Sequence, residues 1–129
     1  MISIDTNVLV RLLTRDDEAQ FSKAEGFFKN GVVFIPETVL LETEWVLRFS
    51  YHLDRMQIHT LFTCVLGLEN VKVDRHLIVY DALSWFQDGM DFADALHLAG
   101  CSHCEKLATF DSSFVKSAKG CSPCTVSLP

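Results

Sequence analysis

Residues 91–104, "DFADALHLAGCSHC", crowd two kinds of metal-binding side chain together: Asp91 and Asp94 near the start, Cys101 and Cys104 near the end. A second pair in "CSPC" at 121–124 makes the pattern C-x2-C, sixteen residues, C-x2-C, which fits the spacing of a zinc site. Carboxylates select a different ion, since hard oxygens suit Mg²⁺ or Mn²⁺ and thiolates suit softer metals. Asp94 and Cys101 are seven residues apart, about 10 Å along a helix, so they cannot share one ion.

The elements around these residues favour the carboxylates. Short β-branched runs at "MISI" (1–4), "VVFI" (32–35), "VKV" (71–73), "LATF" (107–110) and "CTVSL" (124–128) read as strands. Between them, apolar residues at three- and four-residue spacing read as helices: Val8 to Leu13, Phe21 to Phe28, Val39, Leu40, Trp45, Val46 and Phe49, Ile58 to Val65, and Leu77, Tyr80, Leu83 and Trp85. The segment from 91 to 104 also reads as helix. Alternating strands and helices imply right-handed crossovers and a mainly parallel sheet covered on both faces. Ligands of such sheets bind beyond the carboxyl ends of the strands. Acids stand there: Asp5 after the first strand, Asp74 after the third and Asp111 after the fourth. The second strand leads through Pro36 into a helix carrying Glu42 and Glu44, and Asp91 and Asp94 open the helix before the fourth strand. Converging, such acids form an oxygen site for Mg²⁺ or Mn²⁺.

Composition sets the frame. The 129 residues are expected to form a single domain, residues 1–129, and 49% apolar with 22% charged residues is ordinary globular usage. No apolar run approaches the roughly 20 residues of a membrane span, and no basic segment precedes the first apolar residues, so a cytoplasmic protein is expected. Five cysteines do not make a tidy disulfide framework. A net charge of −6 argues against a general nucleic-acid coat but not against a nuclease, whose gathered acids are offset by their metal.

Every acid also has an ordinary structural role available. Asp5 and Asp111 could cap the helices that follow them, and Asp91 with Asp94 resembles a capping box. With three-residue spacing one can cap while the other binds metal. Glu42 and Glu44 cannot face the same way, being two residues apart on a helix; Glu42 has the apolar neighbours of a buried ligand and Glu44 reads as a solvated surface acid. Asp74 reads as a helix start, His97 as a packed or partly exposed residue, and Arg11, Arg15, Arg48 and Lys116 as solvated faces that could help hold RNA.

Four segments, "SIDTNVLVRLL" (3–13), "ETVLLETEWVL" (37–47), "DFADALHLA" (91–99) and "LATFDSSF" (107–114), together resemble a PIN domain, specifically the small VapC-like toxin ribonucleases. The resemblance covers nearly the whole chain. It implies a three-layer α/β/α PIN-like fold with a mainly parallel central sheet of four to five strands. It further implies a divalent-metal-dependent endoribonuclease, Mg²⁺ or Mn²⁺ as cofactor, a homodimer, and a small antitoxin protein as cognate partner beside the RNA substrate. Carried over by motif, the catalytic and metal-binding acids are Asp5, Glu42, Asp94 and Asp111, with Thr6, Asn7 and Asp91 in support. Such acids hold the ion, and one not fully committed to it can orient or deprotonate water.

Two other classes compete. A phosphohydrolase with a strand-end Asp wants a second Asp two residues on, where Asn7 stands. A non-catalytic PIN-like or zinc-stapled interaction protein would leave the acids without purpose, and all four are present. The cysteines are expected to serve as small apolar packing, since Glu105 and Thr125 replace the glycine that usually follows each pair of a zinc knuckle.

Overall fold

A computed structural model describes residues 1–129. The chain forms two compact units, residues 1–74 and 75–129, each described by itself.

In the first unit, β1 (Ile2–Ser3) leads into α1 (Thr6–Thr14) and α2 (Glu18–Asn30), then β2 (Val33–Phe34), α3 (Glu37–Phe49), α4 (Arg55–Leu66) and β3 (Val71–Lys72). The strands pair in parallel in the order β1-β2-β3, with Ile2 opposite Val33 and Val33 opposite Val71. Parallel neighbours need crossovers, and the two helix pairs supply them. Val33 and Ile35, fully buried, anchor a core completed by Leu9, Leu40, Leu47, Ile58 and Phe62. Aspartates start three of these helices: Asp5 accepts from the Val8 amide, Asp17 from Gln20, and Asp54 from Gln57 in a reciprocal capping box. Pro36 starts α3 without a side-chain cap; its fixed φ suits the entry, and its carbonyl accepts from Leu40.

The second unit holds α5 (His76–Gln87), α6 (Phe92–Gly100), β4 (Lys106–Ala108), α7 (Ser112–Ser117) and β5 (Thr125–Ser127). α5 packs on α6, with the Phe86 and Phe92 rings edge-on at 5.5 Å between centroids. Gly89 makes the turn between these helices at φ 119°, a conformation that costs glycine little. β4 and β5 pair in parallel, Lys106 opposite Thr125, with α7 in the crossover.

All five expected strands are present and every pairing is parallel, so the fold is the mixed α/β class of the PIN-like reading. The ladders differ from expectation in two respects. They are only two or three residues long, and they group as a three-stranded and a two-stranded sheet rather than one. The apolar runs "MISI" and "VVFI" overstate strand length because Ile4 and Ile35 are buried beyond the last paired residue. The helix read from 91 to 104 ends at Gly100, so Cys104 lies in the turn beyond it. α5 starts at His76 with Arg75 at its cap, one residue past the expected Asp74.

Helix faces required more correction. On α3 the buried positions are Leu40, Thr43, Glu44 and Leu47, while Trp45 and Phe49, expected to face inward, are 55% and 52% exposed. On α5, Val79, Ala82, Leu83 and Phe86 are buried, and Leu77 and Tyr80 are exposed. In both helices a polar or small residue occupies the inward stripe that apolar spacing alone assigned to an aromatic.

Candidate active site

Asp5, Thr6 and Asn7 occupy the turn from β1 into α1. Asp5 is exposed and uses Oδ1 to accept from the Val8 amide at 3.2 Å, so the capping role foreseen for it is real and Oδ2 stays available to other partners. Thr6 is buried, and its hydroxyl donates a short hydrogen bond to Oε1 of Glu42. That bond brings the first and second motifs together. Glu42 itself is exposed, not buried among apolar neighbours as expected.

Its neighbour in "ETE" is the inward acid. Glu44 is 2% exposed and receives both arms of Arg48, at 2.8 and 3.2 Å. Glu44 is therefore no solvated surface acid, and Arg48 is tied to the fold. A glutamate four residues before an arginine on one helix is a readable pairing signal. Arg15 similarly pairs with Glu18. Arg11 bonds Asp16 and the Tyr51 hydroxyl, and Tyr51 in turn donates to Asp16 at 2.6 Å, which holds that carboxyl below its usual range. Asn7 and Arg11 line a depression of about 270 Å³ with Gln20 and Lys23, the last a cation with no motif to mark it.

In the second unit, Asp91 caps α6, accepting from the Asp94 amide at 3.2 Å. Asp111 caps α7, its Oδ1 accepting from Ser113 and Phe114. Asp94 has no cap to serve, and it is half-buried on the first turn of α6. Burial, then the charges of Asp91 and Asp111, push its carboxyl above the usual range, while exposed His97 one turn away pulls it back. Two of the carried-over acids, Asp94 and Asp111, and the supporting Asp91 thus share one electrostatic neighbourhood. Crowded like charges of this kind are stabilised by a cation, and the donor set is all oxygen, as Mg²⁺ and Mn²⁺ prefer.

No three His, Cys, Asp or Glu side chains are gathered closely enough to hold an ion as they stand. The carboxylates of Asp5, Asp91 and Asp111 each accept from helix amides instead. Burial first, then Cys124, push the Cys101 thiol up to about 11, and burial raises Cys121 as well, which disfavours the thiolate at these two positions.

The sequence pattern of the PIN domain matches residues 2–120. The chain belongs to the PIN domain family. PIN domains are generally nucleases that act on nucleic acid and use divalent metal ions, a role consistent with the acids of these motifs. No curated protein matches this PIN domain. None of its helices is long and apolar enough to cross a membrane.

Proposed function

We propose that this PIN domain, one domain over residues 1–129, is a Mg²⁺- or Mn²⁺-dependent endoribonuclease and the toxin of a VapC-like toxin–antitoxin pair. Membership of the PIN family across residues 2–120, with acids at each motif position, carries the reading. Asp5, Glu42, Asp94 and Asp111 are its metal-binding acids. When bound, the ion makes a water more acidic and offsets negative charge building on the phosphate oxygens.

The protein's own groups do the rest. Asp5 and Asp91 rigidify the starts of α1 and α6, and Thr6 fixes the Glu42 carboxylate. An exposed acid not fully committed to the ion, such as Asp111, orients or deprotonates water. Asn7, Arg11 and Lys23, around one depression, offer a hydrogen-bonding side chain and two cations to an RNA backbone. The reading includes a cytoplasmic homodimer silenced by a small antitoxin.

Expression of the chain in a bacterial host tests the toxin role. Growth arrest that Asp94→Asn abolishes, and that the short neighbouring gene relieves, supports it. Normal growth at high expression of intact protein contradicts it.

A further inference from the structure

Spacing offers each C-x2-C pair a partner within its own turn, but the second unit brings a different couple together. Cys101 ends α6, its amide donating to Leu98 at 3.2 Å, and the Cys104 amide closes a tight turn onto the Cys101 carbonyl at 2.9 Å. Cys124, 2% exposed, directly precedes β5, and the Thr125 amide donating to Glu105 at 3.1 Å holds it beside the entry of β4. There the Cys101 and Cys124 sulfurs meet, 3.7 Å apart. Cys121 Sγ instead lies 3.5 Å from the Ser117 carbonyl, Cys104 is exposed, and Cys64 sits in the other unit on α4.

A sulfur–sulfur bond is about 2.0 Å long, so about 1.7 Å remains to be closed, a gap within reach of modest χ1 rotation at both residues. Cys101 is half-buried and Cys124 buried, so an oxidant reaches Cys101 first.

We propose that Cys101 and Cys124 form a thiol-oxidation site, closed into a reversible disulfide by a small-molecule disulfide of the glutathione class. The Cys101 sulfur attacks oxidised glutathione, giving a mixed disulfide and releasing one reduced glutathione. The Cys124 sulfur then attacks the Cys101 sulfur and releases the second. Each cysteine gives up one proton and one electron, and the two glutathiones take them up. The raised Cys101 thiol makes the first step slow, yet it leaves no stabilised thiolate to hold the pair reduced. Closure ties the end of α6 to the entry of β5 and encloses β4, Asp111 and α7 between fixed ends. None of the nuclease acids takes part in the bond, so the site stands or falls independently of the cleavage reading.

The test incubates the reduced full chain with oxidised glutathione, alkylates the remaining thiols and maps the bonds by peptide mass spectrometry. The expected product is a Cys101–Cys124 disulfide whose melting temperature lies at least about 5 °C above that of the reduced chain and returns on reduction. Cys64→Ser, Cys104→Ser and Cys121→Ser keep the bond. Cys101→Ala abolishes it, and Cys124→Ala stops at the mixed disulfide on Cys101. Should an alanine variant fail to fold, the wild type in urea decides, because unfolding should remove the preference for this pair. Products dominated by Cys101–Cys104, by Cys121–Cys124 or by glutathione adducts, thiols that stay unreacted, the same preference in urea, or an oxidised chain that melts no higher each overturn the proposal.

Discussion

The hydroxyl of Thr6, at the start of α1, donates to the carboxylate of Glu42 in the middle of α3, 36 residues away. One buried side chain thereby couples the "DTN" turn to the acid of the second motif. Thr6→Val keeps the shape and removes the donor. It should cost about 1 kcal/mol of stability, the usual worth of such a bond, with a larger fall in cleavage as Glu42 loses its orientation. Thr6→Ser should restore both, as read by urea unfolding and RNA cleavage.

The two acids of "ETE" should separate cleanly by experiment. Glu42→Gln is expected to leave unfolding unchanged and to reduce cleavage about a hundredfold. Arg48→Met removes both hydrogen bonds that Arg48 makes to the buried Glu44 carboxylate and should cost about 2–3 kcal/mol, with cleavage by the folded fraction retained. Glu44→Leu combined with Arg48→Met should recover much of that loss, because a buried ion pair replaced by apolar side chains is often neutral.

This pair also shows where the sequence stops being legible. The strand runs, the helix order and the caps at Asp5, Asp91 and Asp111 could be read directly, because local chemistry decides them. Which face of α3 turns inward could not. Leu40, Glu44 and Leu47 share a stripe at helical spacing, but a charged residue in that stripe looks solvated until its Arg48 partner is seen. Trp45 and Phe49 drew the inward assignment through size alone, and their rings instead pack on each other 4.9 Å apart on the exposed side. The acids were placed by motif and not by pattern: nothing periodic distinguishes Asp94 from Asp91, and the structure does so by giving the cap to Asp91. The approach of Cys101 to Cys124 rests on parallel strand register, which spacing does not encode.

Asp94 should oppose folding while serving catalysis. Its carboxyl is raised in the folded state, so the stability tied to its proton is fully present below the unfolded value and lost as pH rises through the folded one. In metal-free buffer at neutral pH, Asp94→Asn should therefore melt above wild type. The difference should close as the pH is lowered and the wild-type carboxyl takes up its proton. Thermal melts across this range read it directly.

Asp91 is expected to act through its cap. Asp91→Ala should cost about 1 kcal/mol, and Asp91→Ser, a capping residue without charge, should retain most of the stability. If Asp91 only caps, the serine variant also retains cleavage.

The central claim is that this PIN domain cleaves RNA with a divalent ion held by its motif acids. Purified protein incubated with a mixed RNA substrate and Mg²⁺ or Mn²⁺, with and without chelator, tests it against Asp94→Asn and Asp5→Asn. The account requires cleavage by the wild type that chelator abolishes and both folded variants lack. Cleavage that persists in chelator or in both variants, or no cleavage of any RNA by folded wild type with either ion, would contradict it.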